Sequence, residues 1–567
     1  MEEKHAWLSH YPKEIPVSIS YDEKTLHSYL EETAANQPHR EALHFMGNDM
    51  TYREVYHEAL KLSSQLRKLG VVKGDRVAIM LANSPQAVIC YYGALMAGAI
   101  VVQTNPLYVE RELEHQMNDS QAKVMICLDL VYPRVKAVRS RTSLEHVIVT
   151  SIKDYLPFPK KRLYPLVQRK NAALAKQIEY DSTTHRLKKI MAEGKSEKLD
   201  ISFDPKEDIA LLQYTGGTTG PAKGVMLTHY NLVVNTMQSS AWMYNIDRKK
   251  ETIMAALPFF HVYGMTTVMN ISIMHGAKMI IVPRFEPVPI LKAIQKHKVT
   301  VFPGAPTMYV GLINEPTINK YDLSSIEACL SGSAPLPLEV QQTFEKLTGG
   351  KLVEGYGLTE TSPVAISTPI WGKRKEGSIG IPWPDTEAAI YDPETEGPAP
   401  AGKIGEIMLK GPQVMKGYWN RPEDTAAVFH GNWFLTGDMG YMDEEGYFYI
   451  VDRKKDMIIA GGFNIYPREI EEVLYEHEAI KEAAVIGVPD PYRGETVKAF
   501  LVFKDGKSAS DEEMEAFCRE HLASFKVPRQ FERREELPKT IIGKVLRRVL
   551  VEEEEKNTKA KEMQKGS

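Results

Sequence analysis

The sequence is poor in cysteine. Its 567 residues contain four, Cys90, Cys127, Cys329 and Cys518, with no CxxC pair and no metal-ligand spacing. That excludes a disulfide scaffold and a cysteine-built metal site, and it fits a reducing cytoplasm. Cys90, Cys127 and Cys329 sit in apolar surroundings, where buried thiols are ordinary. An excess of charge of either sign is also missing: 70 Lys and Arg face 74 Asp and Glu, a formal charge of −4, so nothing pulls the chain as a whole toward nucleic acid. Long hydrophobic runs are absent too. The uncharged stretch 87–102 is shorter than the roughly 20 residues a spanning helix needs, and it predicts a buried helix followed by a core strand. The opening MEEKHAWLSHYPKE has no apolar segment of the signal-peptide kind.

What is present is the composition of a water-soluble globular chain, 43% hydrophobic and 25% charged, at a length that predicts two or more domains. Residues 26–70 predict helices around a short strand at 42–46. In TYREVYHEALKLSSQLRKLG, Val55, Ala59, Leu62 and Leu66 recur near helical spacing, Thr51 and Glu54 form a capping box, and Gly70 ends the helix. VAIML, the helix from Pro85, AIVVQTNP, the charged helix near 110–119 and AKVMICL then alternate as strand and helix, which predicts an α/β domain with a largely parallel sheet.

The densest chemical signal is YTGGTTGPAKG, residues 214–224, directly after the apolar run 209–212. Four glycines let several backbone N–H groups turn toward one anion, while Thr215, Thr218 and Thr219 add hydroxyls and Lys223 a mobile positive charge. The pattern is not the common P-loop, because Lys223 is followed by Gly224 and a strand-like VML rather than by a helix. It reads as a loop between two strands, either a polyphosphate cradle or an ordinary glycine-rich hairpin.

Residues 152–198 carry twelve Lys and Arg against five Asp and Glu, interleaved with Leu156, Phe158, Leu163, Tyr164, Leu166 and Val167. Such a stretch suits either a solvated helical insertion or contact with an anionic membrane surface. Further on, the turn ALPFFHVYGM places His261 among aromatics beside Gly264, as a satisfied core histidine or as the wall of an apolar acyl pocket.

A second constellation follows two apolar strands: SGSAPL with Gly332, and EGYGLTE with Gly355, Tyr356, Thr359 and Glu360. Loops in this position bind ligands at the carboxyl ends of open α/β sheets. Tyr356 offers a flat face to a purine, and Thr359 and Glu360 offer oxygen ligands to Mg2+. From about residue 391 the texture turns β-rich, and Asp438 and Arg453 are candidates for a ribose diol. The charged run DRKKDMI predicts a linker, after which a smaller α/β section ends in PKTIIGKVLRR, with Lys544 behind Gly543. The tail 551–567 is charged, lacks aromatics and predicts disorder.

YTGGTTGPAKG, FHVYG, SGSAPL, EGYGLTET, FLTGD, DRKKDMI, GGFNIYP and PKTIIGKV occur here in one order, and together they resemble the adenylate-forming acyl-CoA synthetase superfamily. WLSHYPKEIP and PFFHVYGM look most like its bacterial long-chain fatty acid–CoA ligases. The resemblance implies an α/β fold: a large N-terminal adenylation domain with a β-rich subdomain (1–452), a hinge linker (453–456), a small mobile α+β C-terminal domain (457–550) and an active site between the domains. It implies fatty acid, ATP and CoA as substrates and Mg2+ as cofactor, with acyl-adenylate as intermediate and AMP and pyrophosphate as products.

By the same resemblance Lys544 is the adenylation lysine, and Glu360 ligates Mg2+ with Thr215 or Thr218. Thr215, Gly216, Gly217, Thr218, Thr219, Gly220 and Lys223 hold phosphates. Gly332, Gly355, Tyr356, Thr359, Asp438 and Arg453 complete the nucleotide site, and His261 and Gly264 line the acyl pocket. Lys455 is the hinge, and Gly461, Gly462 and Phe463 line the CoA channel. Where some long-chain members carry a gating tryptophan this chain has Met265, with Trp242 nearby in sequence. The expected location is cytoplasmic, with peripheral contact at the inner membrane face through 152–198 and a homodimer both left open. Two rival readings are an adenylating enzyme for medium-chain, aryl or amino acids, and a non-enzymatic nucleotide-binding module. The second is disfavoured because a mere binder has no use for Lys544.

Overall fold

Short apolar runs between helices become the strands of several sheets. The computed structural model describes residues 5–167, 178–215, 222–460, 463–490, 493–540, 543 and 545–565. The chain divides into two compact units, one made of Met1–Glu376, Gly380–Glu387 and Lys410–Asn432, the other of Gly377–Ile379, Ala388–Leu409 and Trp433–Ser567. The predicted boundary at 452–453 falls inside the second unit.

In unit 1 an eight-stranded sheet runs Gly417–Tyr418, Lys223–Thr228, Ile209–Thr215, Ile100–Gln103, Arg76–Met80, Val124–Leu128, His146–Thr150, Thr184–Arg186. The six strands from Ile209–Thr215 onward are parallel, and the first two in that order join antiparallel. Helices buried against a parallel sheet have little polar surface, and Pro85–Met96, the predicted buried helix, is buried at every residue. Helix Tyr52–Lys68 begins with the predicted Thr51–Glu54 capping box and buries Val55, Ala59, Leu62 and Leu66. A second sheet sets Asn48–Thr51, Glu41–Phe45, Lys278–Ile281 and Thr252–Ala255 side by side. A bridge at Val301 joins it to Ala328–Ser331, Lys351–Gly357, Val364–Ser367 and Ile381–Pro382.

The basic stretch 152–198 is more than a helical insertion. It contributes helix Lys160–Val167, then the edge strand Thr184–Arg186, then helix Leu187–Glu193, which buries Leu187, Ile190 and Met191. Its three-residue polar strand adds an edge to the sheet, and the helix after it is anchored by apolar side chains. The four cysteines are free and buried.

Unit 2 contains the antiparallel pair Trp433–Met442 and Phe448–Arg453 and, beyond it, a sheet of Phe463–Ile465, Ile458–Ala460, Gly494–Phe503 and Ile480–Asp490 with Gln530–Arg533 alongside. Side chains alternate across the pleat. Ala483 and Val485 enter one core with Ile470 and Leu474, while Ala484, Ile486 and Val488 enter another with Leu537 and Leu550.

The expected disorder of 551–567 is corrected for 551–565, where helix Arg547–Lys565 runs. Composition missed the partners that hold it. Leu550 is fully buried, and Glu553 and Glu554 reach Arg534 and Lys498, each at 2.8 Å. Replacing Leu550 by Ala should therefore destabilise these strands by about 2–4 kcal/mol, as faster hydrogen exchange across 480–503 in the full chain. Unchanged exchange would mean that the helix is not anchored there.

Candidate active site

The glycine- and threonine-rich loop is held at both ends. Ile209–Thr215 and Lys223–Thr228 pair antiparallel with Thr215 opposite Lys223, so both residues stand at the mouth of a hairpin. The predicted phosphate residues Gly216, Gly217, Thr218, Thr219 and Gly220 lie outside the described residues. The mouth is stapled from neighbouring elements. Tyr214 donates its hydroxyl to Asp119 at 2.6 Å, Trp419 donates its indole N–H to the Asp119 carbonyl at 3.2 Å, and His115 Nε2 donates to the Ala222 carbonyl at 3.0 Å. Burial, with the Asp119 charge, pushes the Tyr214 phenol well above its ordinary pKa, so it remains a donor. Lys223 Nζ pairs with Asp424 at 2.9 Å and lies 5.2 Å from the centre of the Tyr418 ring.

Glu360 is delivered to the same place by a tightly specified turn. After strand Lys351–Gly357 the chain makes the single turn Thr359–Thr361 and then adopts φ of 73° at Ser362. A Cβ on Gly357 would lie 1.8 Å from the Pro363 carbonyl oxygen, so only glycine fits. Leu358 N–H donates to the Thr361 hydroxyl at 3.0 Å, and that hydroxyl donates to the Pro363 carbonyl. The turn packs beside Lys223–Thr228. There Glu360 Oε1 accepts a 2.8 Å hydrogen bond from the Tyr418 hydroxyl, and its own carbonyl accepts from Met415 N–H at 2.8 Å. Burial, reinforced by the Glu360 charge, raises the Tyr418 pKa, which keeps its proton on the phenol. Thr359 is half-buried in the same turn. Among the described residues no three His, Cys, Asp or Glu side chains cluster as a metal cage. Glu360 and Thr215 instead offer hard oxygen atoms, the donor type suited to a cation shared with phosphates.

The other predicted residues of unit 1 are largely committed to packing. Tyr356 is only 9% exposed, on the strand that also holds Gly355. The Tyr263 hydroxyl donates to the Leu330 carbonyl at 2.6 Å, and its ring sits 3.0 Å from where a Cβ on Gly332 would be. Gly332 therefore accommodates a protein ring. His261 Nδ1 accepts from Tyr263 N–H at 3.2 Å, which caps the short turn Val262–Gly264. Gly264 comes too close to the Pro258 carbonyl to carry a side chain. Met265 then opens a buried π-helical turn, Met265–Asn270. Trp242 is fixed in the core, donating to the Thr368 carbonyl at 3.1 Å and stacking on Trp383.

Sequence reasoning missed Tyr418, Asp424 and Gln213. Gln213 ties the hairpin to the aromatic turn by donating to the Phe260 carbonyl at 3.1 Å. The run GYWNRPED held the first two, but nothing local indicates that Tyr418 meets a carboxylate 58 positions away.

In unit 2 the predicted ribose pair does come together. Asp438 and Arg453 are directly opposite across two antiparallel strands, with Nε 3.3 Å from Oδ1. Asp438 is buried, and beside it in the same strand Gly437 N–H donates to Glu406 at 2.8 Å, with Lys454 pairing with Glu406 at 2.9 Å. Lys455 stands on the exposed turn that follows. Lys544, Gly461 and Gly462 lie outside the described residues, and Phe463 begins the strand Phe463–Ile465.

The profile of AMP-binding enzymes matches residues 30–419, and that of the AMP-binding enzyme C-terminal domain matches residues 469–544. The chain belongs to the AMP-binding enzyme family. Within the family it is similar to a long-chain-fatty-acid–CoA ligase of Bacillus subtilis (strain 168), at 56% identity over 98% of this chain and 99% of the relative. The ligase of the same name from Salmonella typhimurium is 39% identical over 97% and 98%. Among solved structures, ATP-bound MatB from Rhodopseudomonas palustris matches with a TM-score of 0.81 at 30% identity, covering 93% of this chain and 98% of that one. The o-succinylbenzoate CoA synthetase of Bacillus subtilis, with ATP and magnesium ion, matches at 0.75 and 30%, covering 92% and 98%.

Because the Glu360 turn depends on Gly357, Gly357→Ala in this AMP-binding enzyme should cost about 1–3 kcal/mol of stability, read as a lower thermal unfolding midpoint. A variant as stable as the parent would contradict the steric account of the turn.

Proposed function

We propose that the protein joins a long-chain fatty acid to CoA as an ATP-dependent, AMP-forming acid–thiol ligase. One observation supports this most: the full-length relative at 56% identity is named a long-chain-fatty-acid–CoA ligase. The meeting of Glu360, Tyr418 and Lys223 at the hairpin mouth agrees with it chemically. The solved anthranilate CoA ligase and o-succinylbenzoate CoA synthetase are 28% and 30% identical to this chain, well below the fatty-acid ligase relative, which favours the fatty acid.

In the proposed reaction the fatty-acid carboxylate attacks the α-phosphorus of ATP, forming an acyl-adenylate as pyrophosphate leaves. The CoA thiol then attacks the acyl carbon, loses its proton and expels AMP. Two unit charges 4 Å apart repel by about 4 kcal/mol at an effective dielectric near 20, so the first step needs positive charge placed in advance. Lys544 takes that role between the carboxylate and the α-phosphate, and Lys223 holds the departing pyrophosphate. Mg2+, bound through Glu360 with Thr215 or Thr218, would supply Lewis acidity at the phosphate oxygens. Residues 216–220 hold phosphate through backbone N–H groups and hydroxyls. Gly332, Gly355, Tyr356 and Thr359 serve the adenine side, and Asp438 with Arg453 holds the ribose hydroxyls. His261 and Gly264 belong to the acyl pocket, and Gly461, Gly462 and Phe463 to the CoA channel. Residues 457–550 are the mobile domain of the proposal, turning at Lys455 between the half-reactions. Lys544→Ala should abolish fatty-acid-dependent pyrophosphate release yet largely spare thioester formation from supplied acyl-adenylate. Parental pyrophosphate release would remove the role given to Lys544.

Peripheral contact with an anionic membrane surface through 152–198 is part of this reading. No described helix is long and apolar enough to cross a membrane. Supporting contact from one side, Phe158 is 76% exposed and Leu163 50% exposed, beside Lys160, Lys161 and Arg162. Sedimentation with phosphatidylglycerol vesicles should show binding that weakens with salt and with Phe158→Ser. No binding at low salt would exclude the contact.

A further inference from the structure

Tyr418 touches two groups of opposite charge. Its hydroxyl donates to Glu360 Oε1 at 2.8 Å, and its ring centre lies 5.2 Å from Lys223 Nζ. The side chain is buried and its backbone is fixed from two sides. Tyr418 pairs with Val225, two residues beyond Lys223 on the strand leaving the hairpin, and its N–H donates to the Thr425 hydroxyl at 2.9 Å. The preceding Gly417 has φ of 142°, and a Cβ there would lie 2.8 Å from the Thr425 methyl group, so the approach tolerates no side chain. Asp424, one residue before Thr425, takes the ammonium of Lys223 at 2.9 Å. The two-residue strand Gly417–Tyr418 and the turn after it thus hold the carboxylate and the lysine by separate contacts.

We infer that Tyr418 is a positioning residue for nucleotide binding: its hydroxyl orients the Glu360 carboxylate toward the metal, and its ring orients Lys223 toward the terminal phosphates. The inference rests on the metal-binding reading of Glu360. A phenol that occupies one carboxylate oxygen limits rotation of the group and leaves the other oxygen in a fixed direction. A ring face beside an ammonium attracts it without competing for its hydrogen bonds, and the part-exposed Asp424 carboxylate on Lys223 is screened enough to give way to a phosphate.

The test uses the full chain and equilibrium binding of a non-hydrolysable ATP analogue titrated with Mg2+. AMP and pyrophosphate binding without metal, and thermal unfolding, are read beside it. Tyr418→Phe keeps the ring and loses the hydroxyl. It should raise the Mg2+ concentration for half-maximal binding about ten-fold, with metal-free AMP and pyrophosphate binding and the unfolding midpoint unchanged. Tyr418→Leu should in addition weaken metal-free pyrophosphate binding. Glu360→Gln separates the two layers of the argument. If it shifts the Mg2+ dependence while Tyr418→Phe does not, the positioning role is wrong and Glu360 stands. If Glu360→Gln leaves the Mg2+ dependence at the parental value, both fall. A Tyr418→Phe variant that loses stability and AMP binding in step would show that the residue only packs, which also overturns the inference.

Discussion

Antiparallel pairing of Ile209–Thr215 with Lys223–Thr228 fixes where the two ends of the glycine- and threonine-rich connection stand, and the surrounding chemistry is arranged on that register. Strand Ile209–Thr215 is itself the end of a run of six parallel strands, so the sheet positions it independently of the local contacts at its mouth. Tyr214, His115 and Trp419 then brace the mouth through hydrogen bonds to Asp119 and Ala222. Glycine gives a connection conformational freedom, and that freedom is useful at a phosphate site only where the flanking residues are held.

Electrostatics explains why so many aromatic and acidic groups crowd a site meant for anions. In the proposed reaction Lys223 and Glu360 have opposite tasks, one toward phosphate and one toward metal, and a direct ion pair between them would satisfy both and disable both. Tyr418 and Asp424 stand in contact with them instead. Lys223 is about a third exposed and so is its partner Asp424, hence their attraction is screened and weak enough to yield to a polyphosphate.

The order of motifs was legible in the sequence, because each places glycines, hydroxyls and charges within a few residues of one another. So was the Thr51–Glu54 cap, and the meeting of Asp438 with Arg453 follows once their strands pair. Contacts made across long separations were not legible: Tyr418 reaches Glu360 over 58 residues, and Trp242 meets Trp383 through the core. Composition misled at the tail, where a few specific partners outweigh poor average hydrophobicity. It also hid the edge strand Thr184–Arg186, whose three residues are held by the neighbouring strand and not by their own propensity. Gly332 illustrates a subtler limit. Sequence identifies the missing side chain, and only the structure shows that the Tyr263 ring lies 3.0 Å from where its Cβ would stand.

Arg547 shows the same principle at work in unit 2. Its guanidinium reaches Glu471 at 2.5 Å, Asp456 at 3.1 Å and Asp452 at 3.5 Å. Burial raises the Asp452 pKa, and Arg547 is the principal group pulling it back toward ionisation. Buried ion pairs add little net stability, since desolvation offsets most of the attraction, yet removing one partner strands the rest at high cost. The physical gain is therefore positional. Arg547 begins helix Arg547–Lys565 only three residues after Lys544, while Asp452 and Asp456 flank the turn that holds Lys455. One guanidinium thus tethers the segment after the proposed adenylation lysine to both sides of the proposed hinge. A lysine that must supply charge at one step needs its backbone held more firmly than its own flexible side chain can manage.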